Sequence, residues 1–131
     1  MPRYSTKSKR ELATCHPILQ DIFNEVILHF DCTIIQGHRT AEQHAEYLAA
    51  GNSRVSYSKS KHRFNPSKAV DVAPYPIDWD DMDRFLHFAG IVKGIAIAYG
   101  YKIRWGGDWD GDGDFNDQTW FDMVHYEILE E

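Results

Sequence analysis

The sequence predicts a small α+β fold in a single domain. The 131 residues match the usual length of one domain. Hydrophobic residues make up 43% of the chain, which is enough for a core and too many for a disordered protein. Helical patterns come first along the chain and most extended patterns come late. That order is typical of α+β architecture.

Three segments carry apolar residues at helical spacing. Residues 17–30 form one apolar face, and Pro17 suits the first turn of a helix. A second helix is predicted over 40–51, with Thr40 as its N-cap and a glycine at its end. The third runs from about residue 80 to residue 99, and the glycine at position 100 terminates it. We therefore expect about three helices.

Four short segments are predicted to be strands. They cover residues 32–36, 70–73, 101–105 and 123–128. The prolines in residues 74–76 stop the second strand, and the last segment alternates apolar and polar side chains. The polar, basic stretch at 52–68 is predicted to be a loop, and residues 106–117 are rich in turn formers.

Composition excludes several classes of protein. No apolar run reaches the roughly 18 residues of a membrane span, so we expect no membrane insertion. The first ten residues lead into Glu11 rather than an apolar stretch, which predicts a cytosolic start without a secretory signal. Cys15 and Cys32 form no metal-type pair and are predicted to be reduced and buried.

Charge is distributed unevenly along the chain. Residues 1–70 hold ten basic and six acidic side chains, whereas residues 71–131 hold four and fourteen. The stretch from Arg54 to Lys68 carries five positive charges and no carboxylate, so it is either a docking place for an anionic polymer or a solvated loop. The net charge of −6 and the lack of a basic helix argue against nucleic acid as the partner.

Two of the predicted strands place polar side chains on a common face. In the strand at 70–73, Asp71 points away from its two valine neighbours. The same alternation in the last strand predicts an inward face of Val124, Tyr126 and Ile128 and an outward face of Met123, His125 and Glu127. His62 lies in the loop before Asp71. Two imidazoles and one carboxylate, with a fourth position for water, form the ligand set of a catalytic zinc.

Zinc-assisted hydrolysis also requires a general base. Asp122 and Glu127 are the two candidates by position. Asp122 lies three residues before His125, and residues three apart in a regular strand face opposite sides. Asp122 must therefore precede the regular strand or occupy a bulge.

At these residues the sequence resembles the zinc peptidases related to VanX and VanY. It resembles more closely the bacteriophage L-alanyl-D-glutamate peptidases of that group. The resemblance runs over roughly residues 10 to 128 and rests on GHRTAEQ at 37–43, SKSKH at 58–62, AVDVAPYPIDW at 69–79, WGGDW at 105–109 and DMVHYEI at 122–128. It implies an antiparallel sheet, in a fold shared with the Hedgehog N-terminal domain.

The resemblance also implies roles for single residues. His62, Asp71 and His125 would be zinc ligands, Asp122 the catalytic base, and Arg39 the substrate and oxyanion partner. Arg39 also has a physical case, because a guanidinium at a strand end can hold a carboxylate or an oxyanion with two hydrogen bonds.

Two features depart from the family pattern. One is the base at Asp122, which is aspartate where many relatives have glutamate, as is common in the phage branch. The spacing of nine residues from His62 to Asp71 exceeds the usual seven, and the turn at Asn65-Pro66 is predicted to absorb the difference outside the site. Ser60 either contacts substrate or satisfies the loop backbone.

An acidic loop forms a second candidate site. Four aspartates and a glycine reproduce positions 1, 3, 5, 6 and 7 of an EF-hand calcium loop, although position 12 is Thr119 instead of glutamate. The aspartates are Asp108, Asp110, Asp112 and Asp114. Closely spaced carboxylates repel one another without a cation, which favours Ca²⁺ binding over simple turn formation. Such a site would order the base and one zinc ligand downstream of it.

The resemblance predicts a phage endolysin that cuts the L-Ala-D-Glu bond of bacterial peptidoglycan. We expect a monomer without a separate wall-binding module, made in the host cytoplasm and acting in the periplasm after a separate pore protein releases it. The alternatives are a D-Ala-D-Ala dipeptidase or carboxypeptidase on the same scaffold, and a non-catalytic calcium-dependent binding module.

Overall fold

The computed structural model describes residues 2–53, 56–114 and 122–129. Four helices and four strands lie in this part of the chain. The helices are α1 (Thr6–Ala13), α2 (Pro17–Val26), α3 (Ala41–Ala49) and α4 (Met82–Tyr99). The strands are β1 (Cys32–Gln36), β2 (Ala69–Pro74), β3 (Ile103–Trp105) and β4 (His125–Ile128). The predicted α+β class is confirmed.

The four strands form one antiparallel sheet in the order β1-β2-β4-β3. Helices α2 and α4 pack against each other and cover one face of the sheet. The buried core on that face includes Val70 and Val72 of β2 and Tyr126 of β4. The alternation predicted for Asp71 and its valine neighbours is therefore confirmed, and the opposite face is left for polar residues.

Local sequence signals explain where the predicted helices begin and end. Thr40 and Gln43 form a reciprocal capping box at the start of α3. Gly100 ends α4 in the left-handed conformation, with φ of 77°. Helix α2 ends at Val26, four residues before the predicted end, and residues 27–29 continue as a turn.

Helix α1 was not among the three predicted helices. Leu12 is its one buried apolar side chain, and two of its polar side chains bond to the backbone at the edge strand β1 and just after it. The Ser8 hydroxyl accepts a hydrogen bond of 3.1 Å from the Ile34 amide, and the Glu11 carboxylate accepts one from the Gly37 amide. These contacts satisfy backbone donors of an edge strand. Hydrophobic periodicity does not detect a helix held in this way.

The bounds of three strands differ from the prediction. The second strand, predicted over 70–73, runs from Ala69 to Pro74 and includes the first proline of the segment expected to stop it. The third strand begins at Ile103 instead of residue 101, and the last begins at His125 instead of residue 123. Because residues 123 and 124 form a turn, the predicted alternation does not reach them. Met123 packs against the core and Val124 faces the cleft, which reverses the prediction for both side chains.

The loop at 52–68 contains two short 3₁₀ turns, Tyr57–Lys59 and Lys61–Arg63. After the second turn the chain packs on the junction of α1 and α2, where Ser67 exchanges backbone hydrogen bonds with Thr14 and His16. The extra length between His62 and Asp71 is thus accommodated outside the cleft, as predicted. Arg54 lies outside the described residues.

Both cysteines are free and buried, which confirms that prediction. In the described ranges, no helix has the length and apolar character needed to cross a bilayer.

Candidate metal centre and active site

The polar face of the sheet brings together three predicted metal ligands. Asp71 of β2 lies directly opposite His125 of β4 in the antiparallel register. The Asp71 Oδ1 atom is 3.3 Å from His125 Nδ1 and 3.2 Å from His62 Nε2. One ligand atom from each of the three residues lies within 4.8 Å of the others. All three side chains are buried, so the group could hold a metal ion.

Hydrogen bonds on the far nitrogens orient both imidazoles. His62 Nδ1 donates to the Gly37 carbonyl at 2.7 Å, which directs the lone pair of Nε2 toward Asp71. His125 Nε2 donates to Glu127 Oε1 at 2.8 Å, which leaves Nδ1 as its inward atom. Burial lowers the pKa of His62, which favours the neutral imidazole that metals bind.

Arg39 lies beside this group and contacts one of its members. Its Nη2 donates to Asp71 Oδ2 at 3.1 Å, and its Nε donates to Gln36. His44 accepts a third bond, and the ring of Tyr47 lies 3.9 Å from the guanidinium carbon. Arg39 is buried, yet it forms part of the cleft wall. It therefore holds one carboxylate oxygen of Asp71 while the other oxygen faces the histidines.

The charge state of Asp71 follows from these contacts. Burial opposes ionisation, but the imidazoles of His62 and His125, at 3.2 and 3.3 Å from Asp71 Oδ1, lower the pKa of Asp71 well below its usual value. Asp71 is thus a carboxylate at every physiological pH. The same carboxylate is a main cause of the raised pKa of His125, which reaches about 9 against the effect of burial. The buried carboxylate therefore favours a positive charge beside it, as a metal-ligand group requires.

Asp122 lies just before β4 and lines the same cleft. Its position before the regular strand resolves the geometric problem of the three-residue spacing to His125. The Asp122 amide donates to the Gly106 carbonyl at 2.9 Å, and the Asp122 carbonyl accepts from the His125 amide. Burial and the charge of Asp71 raise the pKa of Asp122 to about 6. A carboxylate with that pKa suits general-base chemistry near neutral pH.

Glu127, the second candidate base, is engaged elsewhere. Beyond its bond to His125, it pairs with Lys61 at 3.1 Å and with Arg104 at 2.8 Å. Burial opposes ionisation, but His125 and Lys61 lower the pKa of Glu127 to about 2. A carboxylate held by three partners at that pKa is a poor proton acceptor, so Asp122 is the better candidate for the base.

Ser60 is buried beside the cleft and satisfies its local backbone. Its hydroxyl accepts a hydrogen bond from the His62 amide at 3.3 Å. The residue also lines the cleft, so a substrate contact is compatible with this capping role.

The cleft itself has a volume of about 750 Å³. The His-Asp-His group and Asp122 lie in its wall together with two tryptophans, Trp79 and Trp109. The indole of Trp79 is 54% exposed and stacks on the buried Phe85, with ring centres 5.7 Å apart. The dimensions suit a peptide-sized substrate.

The acidic loop places three of its four predicted ligands together. Carboxylate oxygens of Asp108, Asp110 and Asp112 lie within 4.8 Å of one another, and Asp114 is not part of that group. The Asp108 side chain is buried, and its Oδ1 accepts no hydrogen bond from the described residues. Both glycines of the loop have positive φ, as Asp-Gly turns require. Thr119, at EF-hand position 12, lies outside the described residues.

The sequence pattern of the phage L-alanyl-D-glutamate peptidases matches residues 1–129. The chain belongs to this family. It is 34% identical to the L-alanyl-D-glutamate peptidase of Escherichia phage T5 over 136 residues, an alignment that covers 97% of this chain and 98% of the relative. Its fold matches the crystal structure of the L-Ala D-Glu endopeptidase ChiX of Serratia marcescens with a TM-score of 0.76 and 23% identity. That match covers 98% of this chain and 91% of ChiX.

In this member of the phage peptidase family, sequence analysis missed the residues that support the site. Gln36 and His44 hold Arg39, and Lys61 and Arg104 hold Glu127. The two-residue spacing already placed Glu127 on the face of His125, but sequence analysis identified it as a candidate base and not as the partner of the histidine ring. The partners of Arg39 come from separate segments and left no such signal.

Proposed function

We propose that the protein is a zinc-dependent endopeptidase that hydrolyses the L-Ala-D-Glu bond in peptidoglycan stem peptides. Membership of the family supports the substrate, and the name of the phage T5 relative states the same bond. The observation that carries the proposal is one cleft that contains a buried His-Asp-His group and a carboxylate whose pKa is about 6.

The donor set fits zinc. Two imidazole nitrogens and one carboxylate oxygen are typical ligands of catalytic zinc sites, which leave a fourth position open. Both histidines present a single inward nitrogen, because the other nitrogen of each ring donates to an oxygen. When bound, zinc polarises the substrate carbonyl and makes water acidic enough to be a nucleophile near neutral pH.

Asp122 would move the proton in this reaction. It accepts a proton from the attacking water as the water oxygen bonds to the carbonyl carbon of L-Ala. It returns that proton to the nitrogen of D-Glu as the C–N bond breaks. This sequence ends with a free L-Ala carboxylate and a free D-Glu amine.

Arg39 would stabilise the charge that develops on the carbonyl oxygen. A guanidinium has five N–H donors, and three of those in Arg39 bond to Gln36, His44 and Asp71. We assign a donor outside those three bonds to the oxyanion. Because its surroundings hold the guanidinium rigidly, Arg39 needs little reorganisation in the transition state.

We further propose that the acidic loop binds Ca²⁺ and modulates activity. Asp108, Asp110 and Asp112 supply clustered oxygens, and Asp114 would join through the loop backbone at EF-hand position 7. Trp109 of the same loop lies 5.3 Å from the His125 ring, measured between ring centres. A cation that orders the loop would therefore also restrain one wall of the active site.

In the infected cell, the proposed role is lysis of the host. The enzyme would be made in the cytoplasm and would reach the wall in the periplasm through a separate pore protein. A Ca²⁺ site of weak affinity, around 10⁻⁴ M, would keep activity low in the cytosol and raise it at the wall.

The proposal is tested by digesting purified peptidoglycan and identifying the new termini by mass spectrometry. We expect new L-Ala carboxyl termini and new D-Glu amino termini. Release of D-Ala or of D-Ala-D-Ala would indicate the carboxypeptidase or dipeptidase alternative. A protein that binds calcium but neither binds zinc nor releases peptides would be a binding module.

A further inference from the structure

Glu127 makes a close contact with one candidate metal ligand. Both residues lie in β4 on the polar face of the sheet. The Oε1 atom of Glu127 accepts a hydrogen bond of 2.8 Å from His125 Nε2. The Glu127 side chain is only 6% exposed, so water competes little for this bond.

The other carboxylate oxygen of Glu127 joins two further segments of the chain. Lys61 Nζ lies 3.1 Å from Oε2, and Arg104 Nη2 of β3 lies 2.8 Å from the same atom. Lys61 directly precedes His62 and also donates to the Ile128 carbonyl at 2.7 Å. One carboxylate therefore connects β4, β3 and the turn that carries the second histidine.

We propose that Glu127 is a positioning residue that presets His125 and His62 for the metal. Its bond to Nε2 keeps a proton on that nitrogen, so the proton that leaves when a metal binds is the one on Nδ1, the atom that faces Asp71. Its pairing with Lys61 holds the His62 turn against β4. This inference rests on the proposed function, because it assumes that the histidines bind zinc.

The two histidines depend on Glu127 to different degrees. His62 has its own anchor, the bond from Nδ1 to the Gly37 carbonyl. The outer nitrogen of His125 is held by Glu127, so loss of that carboxylate leaves the ring free to bind through the wrong nitrogen or to rotate. Outer partners of metal-bound histidines typically change metal affinity by 10- to 100-fold.

Two substitutions distinguish the hydrogen bond of Glu127 to His125 from its ion pairs with Lys61 and Arg104. Glu127→Ala removes both the histidine contact and the ion pairs. Glu127→Gln is isosteric, and its amide oxygen can still accept from His125 while its amide nitrogen cannot pair with Lys61. Glu25→Ala is the matched control, because Glu25 pairs with the exposed His29 at 2.6 Å on the surface.

The measurement is zinc affinity and zinc dissociation rate by competition with a chelator, with folding of each variant checked by circular dichroism. We expect Glu127→Ala to weaken zinc binding 10- to 100-fold, Glu127→Gln to fall between it and wild type, and Glu25→Ala to match wild type. The inference is overturned if Glu127→Ala binds zinc within threefold of wild type, or if Glu127→Gln is as weak as Glu127→Ala.

If Glu127→Ala does not fold, the zinc-binding test still works, because Glu127→Gln can be compared with the control instead. A folded Glu127→Gln with a faster zinc dissociation rate than Glu25→Ala supports the inference, and an unchanged rate overturns it. The proposed function fails separately. If the wild type binds zinc but cuts no peptidoglycan, the proposed function fails while the zinc affinities still decide the role of Glu127. If the wild type binds no zinc, both are overturned.

Discussion

Gly106 and Asp122 are paired through their backbones at the edge of the cleft. The Asp122 amide donates to the Gly106 carbonyl at 2.9 Å, and the Gly106 amide donates to the His125 carbonyl at 2.8 Å. A Cβ atom on Gly106 would collide with the Asp122 carbonyl. The glycine thus permits the close approach that places the proposed base beside the proposed metal ligands.

We predict that Gly106→Ala lowers hydrolysis at least tenfold with less effect on zinc content. The added methyl group must displace Asp122, whereas Asp71 and His62 lie on other segments. Gly94→Ala is the control, because a methyl group there would meet no atom within 4 Å and alanine favours the helix. Peptidoglycan hydrolysis and zinc content are measured for both. Equal activity in the two variants would contradict the role assigned to Gly106.

His125→Ala is expected to lose zinc and activity together. It removes one of three buried ligand groups and leaves Asp71 without one of its two histidine partners. Metal analysis of the purified protein is the measurement, and the exposed His29→Ala is the control. Full zinc retention in His125→Ala would refute the ligand assignment.

Asp122→Ala is expected to keep zinc and the fold while hydrolysis falls by about 10²-fold or more, the usual size of a general-base effect. Asp122 lines the same cleft as His62, Asp71 and His125 but does not belong to the group of three that could hold the metal. Zinc content and turnover are measured on the same preparation. If zinc is lost along with activity, Asp122 acts as a ligand instead.

The raised pKa of Asp122 predicts a specific pH dependence of stability in the metal-free protein. Burial and the Asp71 charge raise its pKa from 3.8 to about 6, so the folded state binds the proton more tightly than the unfolded state does. The favourable contribution of Asp122 to the free energy of unfolding is therefore present at low pH and is lost as the pH rises through about 6. Asp122→Asn, which does not ionise, should therefore be more stable than wild type at pH 7.5.

We expect that difference to be about 1–2 kcal/mol after allowance for partial exposure of the side chain. It should vanish toward pH 4, where wild-type Asp122 is protonated in the folded state. Urea unfolding of both metal-free proteins across this pH range is the measurement. A constant difference between them would show that Asp122 has an ordinary pKa.

Calcium is expected to raise the hydrolysis rate with a midpoint near 10⁻⁴ M, in line with weak sites of this ligand type. The double variant Asp110→Ala with Asp112→Ala removes two of the three clustered carboxylates and should show no response. The rate is titrated against free Ca²⁺ at saturating zinc in both proteins. A flat response in the wild type would leave the aspartates as turn formers.

Several elements of this fold were predictable because their signals are local. The capping box at Thr40 and the left-handed glycine at position 100 are each complete within a few residues. The alternation around Asp71 and over 125–128 was enough to place Asp71 and His125 on one face. Helix α1 was missed because its polar contacts with β1 depend on a strand more than twenty residues away.

The sequence by itself determined which residues are candidates for the chemistry, because residue type and strand periodicity are properties of the chain alone. Only the tertiary structure decided how those residues are arranged. The register of β2 against β4 sets Asp71 opposite His125, Gly106 places Asp122 before the strand, and Lys61 reaches Glu127 from a distant loop. These relationships depend on where separate segments meet, and burial at those meeting points is what raises the pKa of Asp122 and lowers that of His62.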